Sequence, residues 1–228
     1  MMIGGSLGAQ TVNAVLRAAL PTLTQICQEL DMRLPVAALA RGTAVRSMLD
    51  ILGIEDNERR VVFSVADTEK TREFIRQQQR RMFIGVPGHG ITVAIPIKSI
   101  GGGKTVAYLN GDRQDAKYAP ELNYAYELIV AIANEGRTDQ VMNAARHAGA
   151  RGGTVLHGKG TAGETAQKFF NVSIASEKEV VLIVAEAAQK SAIMSAILKD
   201  AGPASDAGAI VFSLPISEVA GFGLFAEA

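Results

Sequence analysis

The chain has no tryptophan, a single cysteine, three histidines and no excess of either charge, and each shortage removes a class of function. Aromatics make up 5% of the 228 residues, so few flat rings are on offer for nucleobases to stack on. Lys plus Arg equals Asp plus Glu at 23 each, so no global field gathers nucleic acid or anionic lipid. The lone Cys27 has no internal disulfide partner and, within a helical pattern, reads as a small buried hydrophobe. His89, His147 and His157 form no i, i+4 pair and have no cysteine beside them, which argues against zinc, and no nucleophile with an attendant base can be assembled. No stretch approaches the roughly 18 uninterrupted apolar residues of a membrane span. The Met1 to Leu20 segment also lacks the basic region of an export signal. A cytoplasmic location without membrane insertion is expected.

What the chain does have, it has twice. Arg41-Gly42-Thr43-Ala44 recurs as Lys159-Gly160-Thr161-Ala162, Val61 to Ala66 as Val180 to Ala185, and Ile91 to Ile97 as Ile210 to Ile216. The offset is 118 at the first match and 119 at the other two. Ordered matches at one offset indicate a duplicated domain of about half the chain rather than a solenoid, whose repeats run roughly 20 to 50 residues. The boundaries expected are a first domain over 1–104, a linker over 105–123 and a second domain over 124–228.

The second copy reads most clearly. The β-branched apolar run Tyr126 to Ala133 is a strand, Thr138-Asp139 opens a helix whose apolar residues end before Gly149, and Gly152 to His157 is a second strand. Strand Glu179 to Val184, a helix near Ala187 to Leu198 and strand Ala209 to Leu214 complete the order βαββαβ. That is the ferredoxin-like arrangement, an α+β fold with two helices on one face of a four-stranded antiparallel sheet. The other face is expected to stand bare and to pack sheet against sheet between subunits or halves, which implies a homo-oligomer.

The first copy supplies strands at Leu34 to Ala40, Arg60 to Val65 and Ile91 to Ile95 and a helix near Asp67 to Gln79. Its opening is ambiguous. The repeat offset places a strand near Gly8 to Leu16, whereas Val12, Val15, Leu16, Ala19, Leu23 and Ile26 have helical spacing, which favours a helix and a copy degenerate at its N-terminus. Pro21 suits the start of a second helix. Gly101 to Asn123 reads as linker, with a short strand at Thr105 to Leu109.

Three glycine-bearing segments are candidates for binding. In Arg41-Gly42-Thr43 and Lys159-Gly160-Thr161, a cation, a flexible backbone and a hydroxyl together suit an oxyanion. The plainer reading is a strand-ending turn whose Thr43 caps a helix carrying Val45, Met48, Leu49 and Leu52. Gly88-His89-Gly90 precedes the last strand of its copy, where glycine lets a ligand approach the backbone. Gly101-Gly102-Gly103-Lys104-Thr105 ends like a P-loop, but Lys98 stands where the first glycine belongs, and linker is the better reading. Gly4-Gly5-Ser6-Leu7-Gly8 could present backbone donors to an anionic group.

The run from Gly149 to Thr161, with Phe169-Phe170 and Glu177-Lys178-Glu179-Val180-Val181-Leu182, strongly resembles PII-like nitrogen regulatory proteins over nearly all of Tyr126 to Phe222. Ala40 to Ala44 and Pro87-Gly88-His89-Gly90-Ile91 are similar to the amino-terminal half of tandem members. The resemblance implies a non-enzymatic regulator of nitrogen or related metabolism that forms trimers, senses an adenine nucleotide or other small anionic metabolite in clefts, and acts on a protein target such as an enzyme or transporter. The implied ligand-binding residues are Arg41, Gly42, Thr43, Gly88, His89, Gly90, Lys159, Gly160 and Thr161. In place of the family's long loop the sequence offers Glu164 to Phe170, which suits a short helix. The glycine loops lack the family's terminal lysine, and no tyrosine for modification occupies Gly158 to Ser176. Two other readings are a scaffolding oligomer without a small ligand and an enzyme acting on a phosphorylated substrate.

Overall fold

The computed structural model describes residues 11–16, 20–32, 35–43, 58–84, 86, 89–97, 123–160, 168–169, 172–173 and 177–222. The chain divides into two compact units, one of residues 1–38, 60–124 and 215–228 and the other of residues 39–59 and 125–214.

In the second unit, β5 (Tyr126–Asn134), α3 (Thr138–His147), β6 (Thr154–Lys159), β9 (Glu177–Glu186), α4 (Ala187–Ala201) and β10 (Ile210–Ile216) follow one another. Between β6 and β9 lies a two-residue ladder, β7 (Lys168–Phe169) with β8 (Val172–Ser173). The strands stand side by side as β10-β5-β9-β6. β5 and β9 pair along their length from Tyr126 opposite Glu186 to Asn134 opposite Lys178, and β6 pairs with β9 from Thr154 opposite Leu182 to Lys159 opposite Glu177. This is the expected ferredoxin-like order.

Strand alternation places Ile129, Ala131, Val155, Val181 and Ile183 on one face, where they form a buried core with Val141, Met142 and Ala145 of α3 and Ile193 and Ile197 of α4. Each fully buried aliphatic side chain contributes about 1.5–3 kcal/mol. Leu128, Val130, Leu182 and Val184, on the opposite face, are 4 to 7% exposed. Contiguous aliphatic residues in mid-sheet would expose a large apolar patch, and a single chain already hides them.

The first unit contains α1 (Leu20–Glu29), most of β3 (Glu58–Ala66), α2 (Thr68–Arg81), β4 (Ile91–Pro96) and β1 (Thr11–Leu16). β1 corrects the helix expected there. It pairs antiparallel with β3, Thr11 opposite Ala66 to Leu16 opposite Val61, and with β4, Thr11 opposite Pro96 to Leu16 opposite Ile91. A strand between two neighbours satisfies its backbone on both edges, and that tertiary gain outweighs a helical spacing set by few residues. The helical pattern is real only from Leu20 onward: Leu23, Ile26 and Cys27 of α1 are buried with Phe74 and Ile75 of α2 and Val62 and Ala66 of β3. Pro21 sits in the first turn of α1, where its missing N–H is unneeded. α2 begins at Asp67, whose Oδ1 accepts from Lys70 N at 2.8 Å, a cap worth about 1 kcal/mol. A final strand, β11 (Glu218–Ala220), extends this sheet by pairing with β4.

The helix expected over Glu164 to Phe170 is corrected where it is described. Lys168 and Phe169 are strand, opposite Ser173 and Val172, and a ladder partner satisfies backbone groups that a short isolated helix would leave open. The helix expected around Val45 to Leu52, the strand at Thr105 to Leu109 and the glycine runs at Gly4 to Gly8 and Gly101 to Gly103 lie outside the described residues.

Candidate functional site

Arg41-Gly42-Thr43 closes β2 (Val36–Gly42), whose end pairs with β6: Ala40 opposite Leu156, Arg41 opposite Val155, Gly42 opposite Thr154. Thr43 is locked onto Gly153. Its backbone N–H donates to Gly153 O at 3.1 Å, its hydroxyl donates to the same oxygen at 3.0 Å, and that hydroxyl accepts from Gly153 N at 2.8 Å. Arg146, in the last turn of α3, donates to the Thr43 carbonyl. The hydroxyl expected to face an anion is therefore engaged as donor and acceptor in holding two segments together. Arg41 is exposed.

Lys159 ends β6 with its Nζ 3.2 Å from Glu177 Oε1 across the ladder, and the two side chains are 69% and 42% exposed. Gly160 follows directly, and Thr161 lies outside the described residues. Arg41 is opposite Val155, and Lys159 is four positions further on the same face, about 13 Å at 3.3 Å per residue. Between them on that face stands His157, its Nδ1 3.8 Å from Glu179 Oε1. The result is a strip of cation, imidazole and cation along β2 and β6, flanked by two carboxylates of β9.

Glu179 was not singled out as a site residue. It is buried, and its Oε2 accepts from Arg137 N at 3.2 Å, Thr138 N at 3.0 Å and Thr138 Oγ1 at 2.7 Å. The α3 N-terminus has no side-chain cap of its own at Arg137, and a carboxylate from the neighbouring strand supplies both the acceptor and the negative charge that a helix start favours. An acidic residue directly before the apolar run Val180 to Ala185 was the available signal.

The loop before β10, Gly202 to Ala209, is where a glycine-rich phosphate cradle would sit. Four of its amides are spent internally. Ser205 N donates to Gly202 O at 2.9 Å, Ala207 N to Ser205 Oγ at 3.2 Å, Gly208 N to Ser205 O at 3.0 Å and Ala209 N to Ala201 O at 2.8 Å. Asn134 fastens the loop to the end of β5, donating through Nδ2 to Asp206 O at 2.9 Å and accepting from Lys178 Nζ at 2.5 Å. Arg137 adds an ion pair to Asp206 at 3.5 Å.

In the first unit, His89 Nδ1 is 3.1 Å from Met82 O, its backbone N–H donates to Val86 O at 3.0 Å, and its ring meets Phe83 edge-on. Gly90 follows with φ 114°, and Gly88 lies outside the described residues. An open groove of about 840 Å³ runs beside α2, lined by Leu30, Ile75, Lys70, Arg72, Arg76 and three glutamates. Its cations are compensated: Lys70 by Asp31 at 3.7 Å, Arg72 by Glu218 at 3.1 Å and Arg76 by Glu73 at 3.0 Å. Among the described residues, no three His, Cys, Asp or Glu side chains are grouped to hold a metal, and no helix is long and apolar enough to cross a membrane.

Residues 126–222 match the family described as Nitrogen regulatory protein P-II. Among solved structures the chain is similar to PII of Arabidopsis thaliana bound to citrate, at 23% identity over 42% of this chain and 78% of that one, with a TM-score of 0.34. It is also similar to a microcompartment protein from Desulfitobacterium hafniense DCB, at 9% identity over 92% and 96% of the two chains and a TM-score of 0.26. A third similar structure, a protein from Galdieria sulphuraria, shares 9% identity over 91% and 98% with a TM-score of 0.27. No curated protein matches the chain.

Proposed function

We propose, from the match of residues 126–222 to the family described as Nitrogen regulatory protein P-II, that the chain is a non-enzymatic sensor that takes up a small anionic effector and regulates a partner protein. The family match over a unit of βαββαβ order is the observation that carries this reading. An adenine nucleotide is the first effector to try, nitrogen or related metabolism the proposed setting, the cytoplasm the proposed location and a homotrimer the proposed assembly.

The proposed contacts are side-chain cations rather than loop amides, because the amides of Ser205, Ala207, Gly208 and Ala209 and the Thr43 hydroxyl are already engaged. Arg41 is exposed, and Lys159 has only to exchange Glu177 for the effector. An exposed pair of that kind is worth about 0–1 kcal/mol, so the exchange costs little. His157 and Gly160 complete the strip; His89 and Gly90 with Gly88 are the corresponding proposal for the first copy. Calorimetry with ATP, ADP, AMP, cyclic AMP, 2-oxoglutarate and bicarbonate tests it. Saturable binding of one of these that weakens at least tenfold in Lys159→Ala or Arg41→Ala supports the reading, and heat-silent titrations with all six refute it.

The same spent donors favour a second reading, an assembly protein without a small ligand. A stable protein partner retained in the absence of any nucleotide, with the calorimetry silent, would move the assignment there. An enzymatic role would require turnover of a nucleotide or sugar nucleotide.

A further inference from the structure

The two copies fill the same place in their cores with different chemistry. In the second unit Ile183 of β9, Ile197 of α4 and Val211 of β10 belong to the aliphatic core between helices and sheet. The residues 119 positions earlier are Ser64 of β3, Gln78 of α2 and Thr92 of β4, and they are fully hidden, at 2%, 0% and 0% exposed. A fourth position changes with them: Ile129 stands opposite Ile183 in the second unit, and Asn13 opposite Ser64 in the first. The surrounding core stays apolar, with Val62 and Phe74 where the second unit has Val181 and Ile193. The fold therefore has no need of polar side chains at these positions, and the first unit carries them for another reason.

Their hydrogen bonds do not close among themselves. Thr92 Oγ1 donates to Gln78 Oε1 at 2.6 Å, but Gln78 Nε2 and Ser64 Oγ are buried with no hydrogen-bond partner among the described residues. Turning the Gln78 amide over exchanges its two ends and still leaves one unpaired. A buried polar atom without a partner bears its whole desolvation cost, and in folded proteins such atoms are met by protein groups or by ordered water. Serine, glutamine, threonine and asparagine are neutral, so a water suits them better than an ion. Serine is also shorter than the isoleucine that holds its place in the second unit, and a water needs both room and polar partners.

We propose that the first unit holds ordered water between α2 and its sheet, bound by Gln78 Nε2 and by Ser64 Oγ, at a site that the second unit lacks. Water accepts from the amide and donates to or accepts from the hydroxyl, so each unpaired atom gains the partner it needs. The site adjoins the loop that carries His89. The Gln78 carbonyl accepts from Met82 N at 2.9 Å and from Ile84 N at 3.4 Å, Met82 O is 3.1 Å from His89 Nδ1, and Thr92 is the second residue after Gly90. The hydrated seam thus supports that loop from within, whether or not an effector binds.

The test compares the full-length protein with a variant carrying the second unit's residues, Ser64→Ile, Gln78→Ile and Thr92→Val together. Magnetic relaxation dispersion of water nuclei counts the water molecules held inside a protein, and its amplitude should fall in the variant by at least one long-lived water while circular dichroism is unchanged. An equal amplitude in the two folded proteins overturns the proposal. A high-resolution crystal structure of the wild-type protein decides the matter even where the variant does not fold: density for an ordered water within hydrogen-bond reach of Gln78 Nε2 or Ser64 Oγ is expected, and no such density at either atom overturns it. Neither readout involves an effector, so failure here is distinguishable from failure of the sensor reading.

Discussion

Replacing Glu179 by alanine should cost the second unit about 2–4 kcal/mol. Its Oε2 accepts three hydrogen bonds at the start of α3, from Arg137 N, Thr138 N and Thr138 Oγ1 at 3.2, 3.0 and 2.7 Å. Hydrogen bonds to a charged group contribute about 1.5–3 kcal/mol each when nothing replaces them. Arg137 is exposed and Thr138 half-buried, so water recovers part of the loss, which brings the sum down to a few kcal/mol. An ordinary cap such as Asp67 on α2 is worth about 1 kcal/mol, because it satisfies one amide. Glu179→Gln keeps an acceptor oxygen without the charge and should lose about 1 kcal/mol. Urea unfolding of the full chain gives the global cost, and amide hydrogen exchange resolves the local one: Arg137 and Thr138 should lose protection in the alanine variant while the centre of β5 keeps it. A loss below about 0.5 kcal/mol, or unchanged exchange at those two amides, would refute the capping role, and a glutamine variant as damaged as alanine would show that charge alone matters.

Burial raises the Cys27 thiol from its ordinary 9.0 to about 11. Alkylation at pH 8 should be slow in the native chain and rapid in urea. The folded pKa lies above the unfolded one, so the associated stability is complete below pH 9.0 and is lost as pH rises toward about 11, amounting to about 3 kcal/mol; Cys27→Ala should flatten that part of the pH–stability curve, which unfolding at pH 8 and pH 11 would check. Gly202 ends α4 where an added Cβ would lie 2.1 Å from the Leu198 carbonyl oxygen. Gly202→Ala should therefore cost about 1–3 kcal/mol by thermal unfolding, through a shift of the helix end.

The second copy was legible because its signals agree with one another. The apolar run at Tyr126 to Ala133, the polar start at Thr138 and the glycine stop at Gly149 each fix an element to within a few residues of β5 and α3. The first copy hid its opening strand because Val12, Val15 and Leu16 fit a helix as well as a strand, and what decides between them is the pair of neighbours, β3 and β4, that lie far along the chain. The candidate site was legible as residue types and not as contacts. Arg41-Gly42-Thr43 and Lys159-Gly160 do mark strand ends in the second unit, but which hydroxyl is spent on Gly153 and which lysine faces Glu177 depends on register. Glu179 escaped notice for the opposite reason: one carboxylate in a strand has no local motif, and its role appears only when the α3 N-terminus lies beside it.

The sensor account is tested most directly by what the purified protein carries. Protein isolated without added ligand and denatured for mass spectrometry should release a small anionic metabolite in near-stoichiometric amount, and the Lys159→Ala protein should release much less. Wild-type protein that comes through purification empty, and that still binds none of the anions offered to it, would contradict the account.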